Sequence, residues 1–190
     1  HGRDRRQRQM CIRDRVARIG IRRRWRLALV PIMAAVLAAL LWPRFWLVIE
    51  EGEALRYAFP ATSGSDFALR WTHSVEKEDW EERFQIQTNG SLMLVETRFK
   101  TFGAGVPAAV GRETRLEQGW VVMSGIHRPV DPLHVQAAEA EHYRLYFQGR
   151  TLDLTHPGVP PILTFTTREA PLLTMLPARF GTWWRQWRSP

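Results

Sequence analysis

The chain has 190 residues, 45% of them hydrophobic, and a formal net charge of +8 from 27 basic and 19 acidic side chains. Residues 1–26 carry 11 arginines and 2 aspartates, so the rest of the chain, with 16 basic and 17 acidic residues, is close to neutral. A neutral folded part argues against a nucleic-acid partner, which needs basic residues on the folded surface. The single cysteine, Cys11, leaves that part with no disulfide framework, thiolate metal site or cysteine nucleophile.

Residues 1–26 are predicted to be a basic cytoplasmic leader. Within it, Met10-Cys-Ile-Arg-Asp-Arg15 looks like translated sequencing-adapter read-through, and residues 1–15 carry no functional expectation. From Leu27 to Trp42 every residue is apolar or proline, a run of 16 that falls just short of the roughly 20 of a full span. Beyond Arg44 the run Phe45-Trp-Leu-Val-Ile49 is apolar again, and a tilted helix could take it in. Residues 27–46 are therefore expected to form a single N-terminal transmembrane helix. Arg22, Arg23, Arg24 and Arg26 lie directly before it, which keeps the N-terminus in the cytoplasm and exports the rest. A cleaved signal peptide shares this layout, but Leu40-Leu-Trp-Pro-Arg44 lacks an Ala-x-Ala site, so the segment is read as a retained anchor.

Residues 47–177 read as an exported, all-β domain, a small antiparallel sandwich or barrel. Short β-rich runs recur between turn signals at 54–59, 67–74, 82–87, 92–102, 120–123, 142–147 and 162–167. In the second run Phe67, Leu69, Trp71 and His73 share one face, expected to be the core face. Asn89-Gly90 between two such runs predicts a two-residue hairpin and an antiparallel pair, with Glu82 opposite a residue near 97. Residues 101–119, with five glycines or prolines among Gly103, Gly105, Pro107, Gly111 and Gly119, read as a long loop, and 135–141 as a short helix. The tail of residues 178–190 combines Phe180, Trp183, Trp184 and Trp187 with arginines. It is read either as an interfacial segment or as a packed C-terminal strand.

The densest polar cluster is Thr72-His-Ser-Val-Glu-Lys-Glu-Asp-Trp-Glu-Glu82, followed by Phe102-Gly-Ala-Gly-Val-Pro107. Together these resemble the bacterial domain-of-unknown-function family eighteen-fifty, over roughly residues 47–125. In that family a strand ending in His-Ser-Val-Glu is followed by a Glu, a hairpin and Phe-Gly-Ala-Gly-x-Pro. Lys77-Glu-Asp79 departs from the Thr-Pro of the family pattern and puts the shape of that turn in doubt. The resemblance implies a small exported or membrane-anchored protein encoded beside the membrane subunits of TRAP-type transporters of the TAXI class, with no catalytic activity attached.

On the residues themselves, His73 beside Ser74 invites a periplasmic serine-hydrolase reading, but neighbours in a strand point to opposite faces and no Gly-x-Ser-x-Gly elbow is present. His73 could instead fix the turn by bonding Glu76 or Glu82. The site favoured here is a docking motif of His73, Ser74, Glu76, Glu82, Phe102, Gly103, Gly105 and Pro107, in which His73 and Glu82 meet the amides of the glycine loop. His127, His134 and His142 fit no ligand spacing, so no metal and no cofactor is expected. The sequence thus predicts a non-enzymatic accessory module, single-pass in the bacterial inner membrane with its C-terminal domain in the periplasm. Its expected partner is a TRAP-type transporter membrane or solute-binding subunit. The alternatives are a periplasmic serine hydrolase and a small-ligand or metal-binding β domain.

Overall fold

A computed structural model describes residues 29–103, 105–155 and 158–177. The basic leader and the aromatic tail therefore lie outside the described residues. The chain divides into two compact units, residues 1–42 and 43–190. In the first, residues 29–41 form a helix whose apolar side chains, from Leu29 and Val30 round to Leu37 and Leu41, are exposed. Among the described residues no helix is long and apolar enough to cross a membrane.

The second unit is built of β-strands, followed by a short helix over residues 172–177. Among the described residues eleven strands run in chain order as β1 (Pro43–Glu51), β2 (Ala54–Pro60), β3 (Asp66–Thr72), β4 (Asp79–Ile86), β5 (Leu92–Phe99), β6 (Glu113–Glu117), β7 (Trp120–Pro129), β8 (Leu133–Gln136), β9 (Arg144–Phe147), β10 (Arg150–Asp153) and β11 (Ile162–Pro171). They form two antiparallel sheets, ordered β2-β1-β11-β8 and β10-β9-β3-β4-β5-β7-β6. The sheets share one core. Leu47, Ile49, Phe59 and Phe165 from the smaller sheet pack with Phe67, Leu69, Phe84 and Met123 from the larger. The all-β expectation holds in the form of a sandwich.

Four differences from the sequence reading have physical causes. The apolar stretch 43–46 and its extension to Ile49 belong to β1, not to a helix. Trp46 to Ile49 are fully buried because both faces of β1 are covered, Leu47 and Ile49 by the inter-sheet core and Trp46 and Val48 by Ala58, Ala170 and Met175. A strand buried on both faces loses its alternation and reads like a buried helix. Second, the 101–119 loop contains β6. Third, 135–141 is not a helix: Val135 lies in β8, and only Glu139–Glu141 form a single 3₁₀ turn. Fourth, the Asn89-Gly90 hairpin is wider than two residues. Gln87 N–H donates to Ser91 O at 2.9 Å, Asn89 Oδ1 accepts from Ser91 N–H, and Gly90 has φ +85°. The hairpin's tip is docked on the opposite sheet, where Thr167 Oγ1 donates to the Gly90 carbonyl.

Candidate functional site

The first motif is the connection between β3 and β4. The His73 backbone N–H donates to Glu78 O at 2.8 Å, and Lys77 N–H donates to His73 O at 3.0 Å, closing the turn. The His73 ring accepts the Glu76 N–H at Nδ1, 3.3 Å away, which requires the Nε2–H tautomer. Lys77, where the family pattern differs, takes a left-handed φ of +58°. Ser74 is exposed, and among the described residues it makes no hydrogen bond with His73. The bond expected from His73 to a carboxylate of Glu76 or Glu82 is made to the Glu76 backbone instead.

The second motif returns to this turn because β4 and β5 pair in the predicted register, Glu82 opposite Thr97. An aromatic run ties the two: His73 lies 5.3 Å from Trp80, Trp80 lies 5.6 Å from Phe99, and Phe99 lies 5.1 Å from Phe102. The Glu76 side chain rests against Gly103, where a Cβ would come within 1.8 Å of Oε1. The Thr101 hydroxyl donates to the Glu78 carboxylate. The two motifs therefore do converge, but by different residues from those expected. Glu76 makes the carboxylate contact with Gly103, the His73 ring turns onto Trp80, and Glu82 lines a cavity that Gly105 and Pro107 also border.

Alternation along β4 puts Glu82 on the same face as Trp80, pointing between the sheets. There it lines a cavity of about 740 Å³ together with Leu69, Trp71, Trp80, Ile126, Arg128, Val135, Glu141 and Tyr143, closed on one side by Gly105 and Pro107. Three rings form one wall: Tyr143 stacks on Trp71 at 5.3 Å, and Trp71 on Trp80 at 5.5 Å. Trp80 Nε1 is engaged with Thr97 Oγ1 at 2.7 Å. Among the described residues no hydrogen bond or ion pair within 4 Å reaches the Glu82 carboxylate. Burial pushes its pKa above the usual carboxylate range, and the Arg128 guanidinium partly offsets this. Burial also pushes the Tyr143 phenol up, reinforced by the charges of Glu141 and Glu82.

Arg128 and Tyr143 were not singled out from sequence, Trp71 was expected only as a core-face residue, and Trp80 entered only within the polar cluster. The alternation Trp80-x-Glu82-x-Phe84 carries the signal for Glu82 and Trp80. Arg128 gives none, because an irregularity between Leu94 and Glu96 in the β5–β7 pairing sets it opposite Leu94 and shifts its face. On the outer face of the same sheet, buried Glu81 bonds Arg70 at 2.6 Å and Arg98 at 2.5 Å, while Arg70, Arg98 and Lys100 surround the Trp120 ring. Among the described residues, no three histidine, cysteine, aspartate or glutamate side chains come together as a metal site would need.

These features define an antiparallel β sandwich with an inter-sheet cavity lined in part by Trp80 and Glu82 of the first motif and Gly105 and Pro107 of the second. Residues 67–154, from the start of β3 to the end of β10, match the family described as Domain of unknown function (DUF1850). The match covers both motifs and supports the resemblance read from them. No curated protein and no solved structure matches the chain.

Proposed function

We propose that this chain is a non-enzymatic accessory module, held at the bacterial inner membrane by its N-terminal segment, whose β domain works in the periplasm beside a TRAP-type transporter of the TAXI class. The convergence of the two motifs carries the reading of a binding module. Glu76 seated on Gly103, with Thr101 bonded to Glu78, makes a prearranged loop pair. On that pair Val75 and Phe102 are left 61% and 55% exposed, and large exposed apolar side chains on fixed loops suit a protein partner. The attachment rests on the arginine block and on a helix that is apolar on every side. The choice of partner rests on the family resemblance.

Affinity purification after mild detergent extraction tests the proposal. Recovery of the transporter's membrane or solute-binding subunit, lost on replacing Phe102 and Val75 by Ser, is the expected result. Repeated recovery of neither subunit sinks the assignment.

A further inference from the structure

We propose that the inter-sheet cavity is a binding site for a small organic ammonium ion with an apolar body, its positive charge held against Glu82. This goes beyond the accessory role and does not depend on the transporter.

The cavity opens to solvent, and its volume of about 740 Å³ lies within the range of small-molecule sites. The wall of Tyr143, Trp71 and Trp80, stacked nearly parallel at interplanar angles of 12° and 17°, offers aromatic surface to an apolar body. Leu69, Ile126 and Val135 complete the apolar lining.

Within this mixed lining Glu82 is half-buried and makes no hydrogen bond or ion pair within 4 Å among the described residues, Arg128 acting on it only at longer range; a partly buried charge without a close counter-charge is costly. A cationic group in the cavity removes that cost. The other charges facing the space are Glu141, the last residue of the 3₁₀ turn, and Arg128, from β7. His134, from β8, is engaged with Thr164 Oγ1 at 3.1 Å. Two carboxylates against one guanidinium leave the cavity negative, which selects a cation over an anion. A metal ion is the poorer fit because a hard cation needs several oxygen ligands converging on one point.

Calorimetric titration of the full-length chain at pH 8 with three probes of one shape tests the site: 2-phenylethylammonium, 2-phenylethanol and 3-phenylpropionate. The ammonium is expected to bind saturably and about ten-fold or more tighter than either isostere, the difference a charge-assisted contact makes. Glu82→Gln should remove that margin while keeping the wild-type circular dichroism. Absence of saturable ammonium binding, equal affinity for the alcohol or the acid, or undiminished binding by Glu82→Gln each overturns the site. Should Glu82→Gln fail to fold, the three-probe comparison on the wild-type chain decides by itself. Transporter capture is scored separately, so either proposal can fail without the other.

Discussion

Gly103 sits so close to Glu76 that a methyl group on residue 103 would fall 1.8 Å from Glu76 Oε1 and 2.3 Å from its carboxyl carbon. The glycine at this motif position is therefore set by an approach from another loop. The atoms met are the far end of the flexible, half-exposed Glu76 side chain, so Gly103→Ala should cost less than about 1 kcal/mol and should displace that carboxylate from the loop. Urea denaturation should still show non-additivity, since Glu76→Ala opens the space and makes Gly103→Ala nearly neutral in that background. Additive effects would mean that the two residues do not meet.

Gly105 is required for a different reason. Its φ is +81°, and nothing lies within 4 Å of the position a Cβ would take. Gly105→Ala should therefore cost only about 1 kcal/mol, from the left-handed backbone alone, and Glu76→Ala should not rescue it.

Glu81 is 4% exposed and holds two arginines on the outer face of the larger sheet. Glu81→Gln leaves Arg70 and Arg98 adjacent without their counter-charge. A loss of about 2 kcal/mol or more in denaturant unfolding is expected, within the range for removing one member of a buried charged pair. Replacing the nearby exposed Arg83 by Gln should cost far less.

The β3–β4–β5 core of the domain was legible in the sequence because its β-rich runs are bounded by turn signals, and in β4 Phe84 and Ile86 alternate with Arg83, Gln85 and Gln87. The strand β1 was not, since covering both of its faces erased the alternation. β6 and β8 were missed because they are short and largely exposed, at five and four residues. At the site, the register from the hairpin gave the partner of Glu82, Thr97, but not the side chain's place in the inter-sheet cavity. The exchange of roles between Glu76 and Glu82 depended on the shape of the 73–78 turn, whose left-handed Lys77 no spacing rule announces.

Orientation depends on the arginine block and not on the β domain. A C-terminal alkaline phosphatase fusion should be active, and a C-terminal green fluorescent protein exported by the general secretory route should stay dark. The opposite pair of results would place the domain in the cytoplasm and remove the periplasmic part of the proposed function.

Glu82 makes the stability of the domain depend on pH in a direction opposite to that of most carboxylates. Burial raises its folded pKa, with Arg128 opposing, whereas in the unfolded chain it titrates near the ordinary value of about 4.3. Below that value the group is protonated in both states and costs nothing. As pH rises through it the unfolded chain ionises first, so stability falls until the raised folded pKa is passed and then levels off. Glu82→Gln, neutral at every pH and of the same shape, should therefore melt at a higher temperature than the wild type at pH 7–8. The two should converge as pH is lowered below about 4. An ammonium ligand reverses the sign, since it favours the ionised carboxylate. With 2-phenylethylammonium present the wild type should gain melting temperature as pH rises from 5 to 8, and the Gln variant should not. A wild type that stays the more stable of the two at pH 8 without ligand would show that Glu82 is already paired, and the cavity would lose its reason to take a cation.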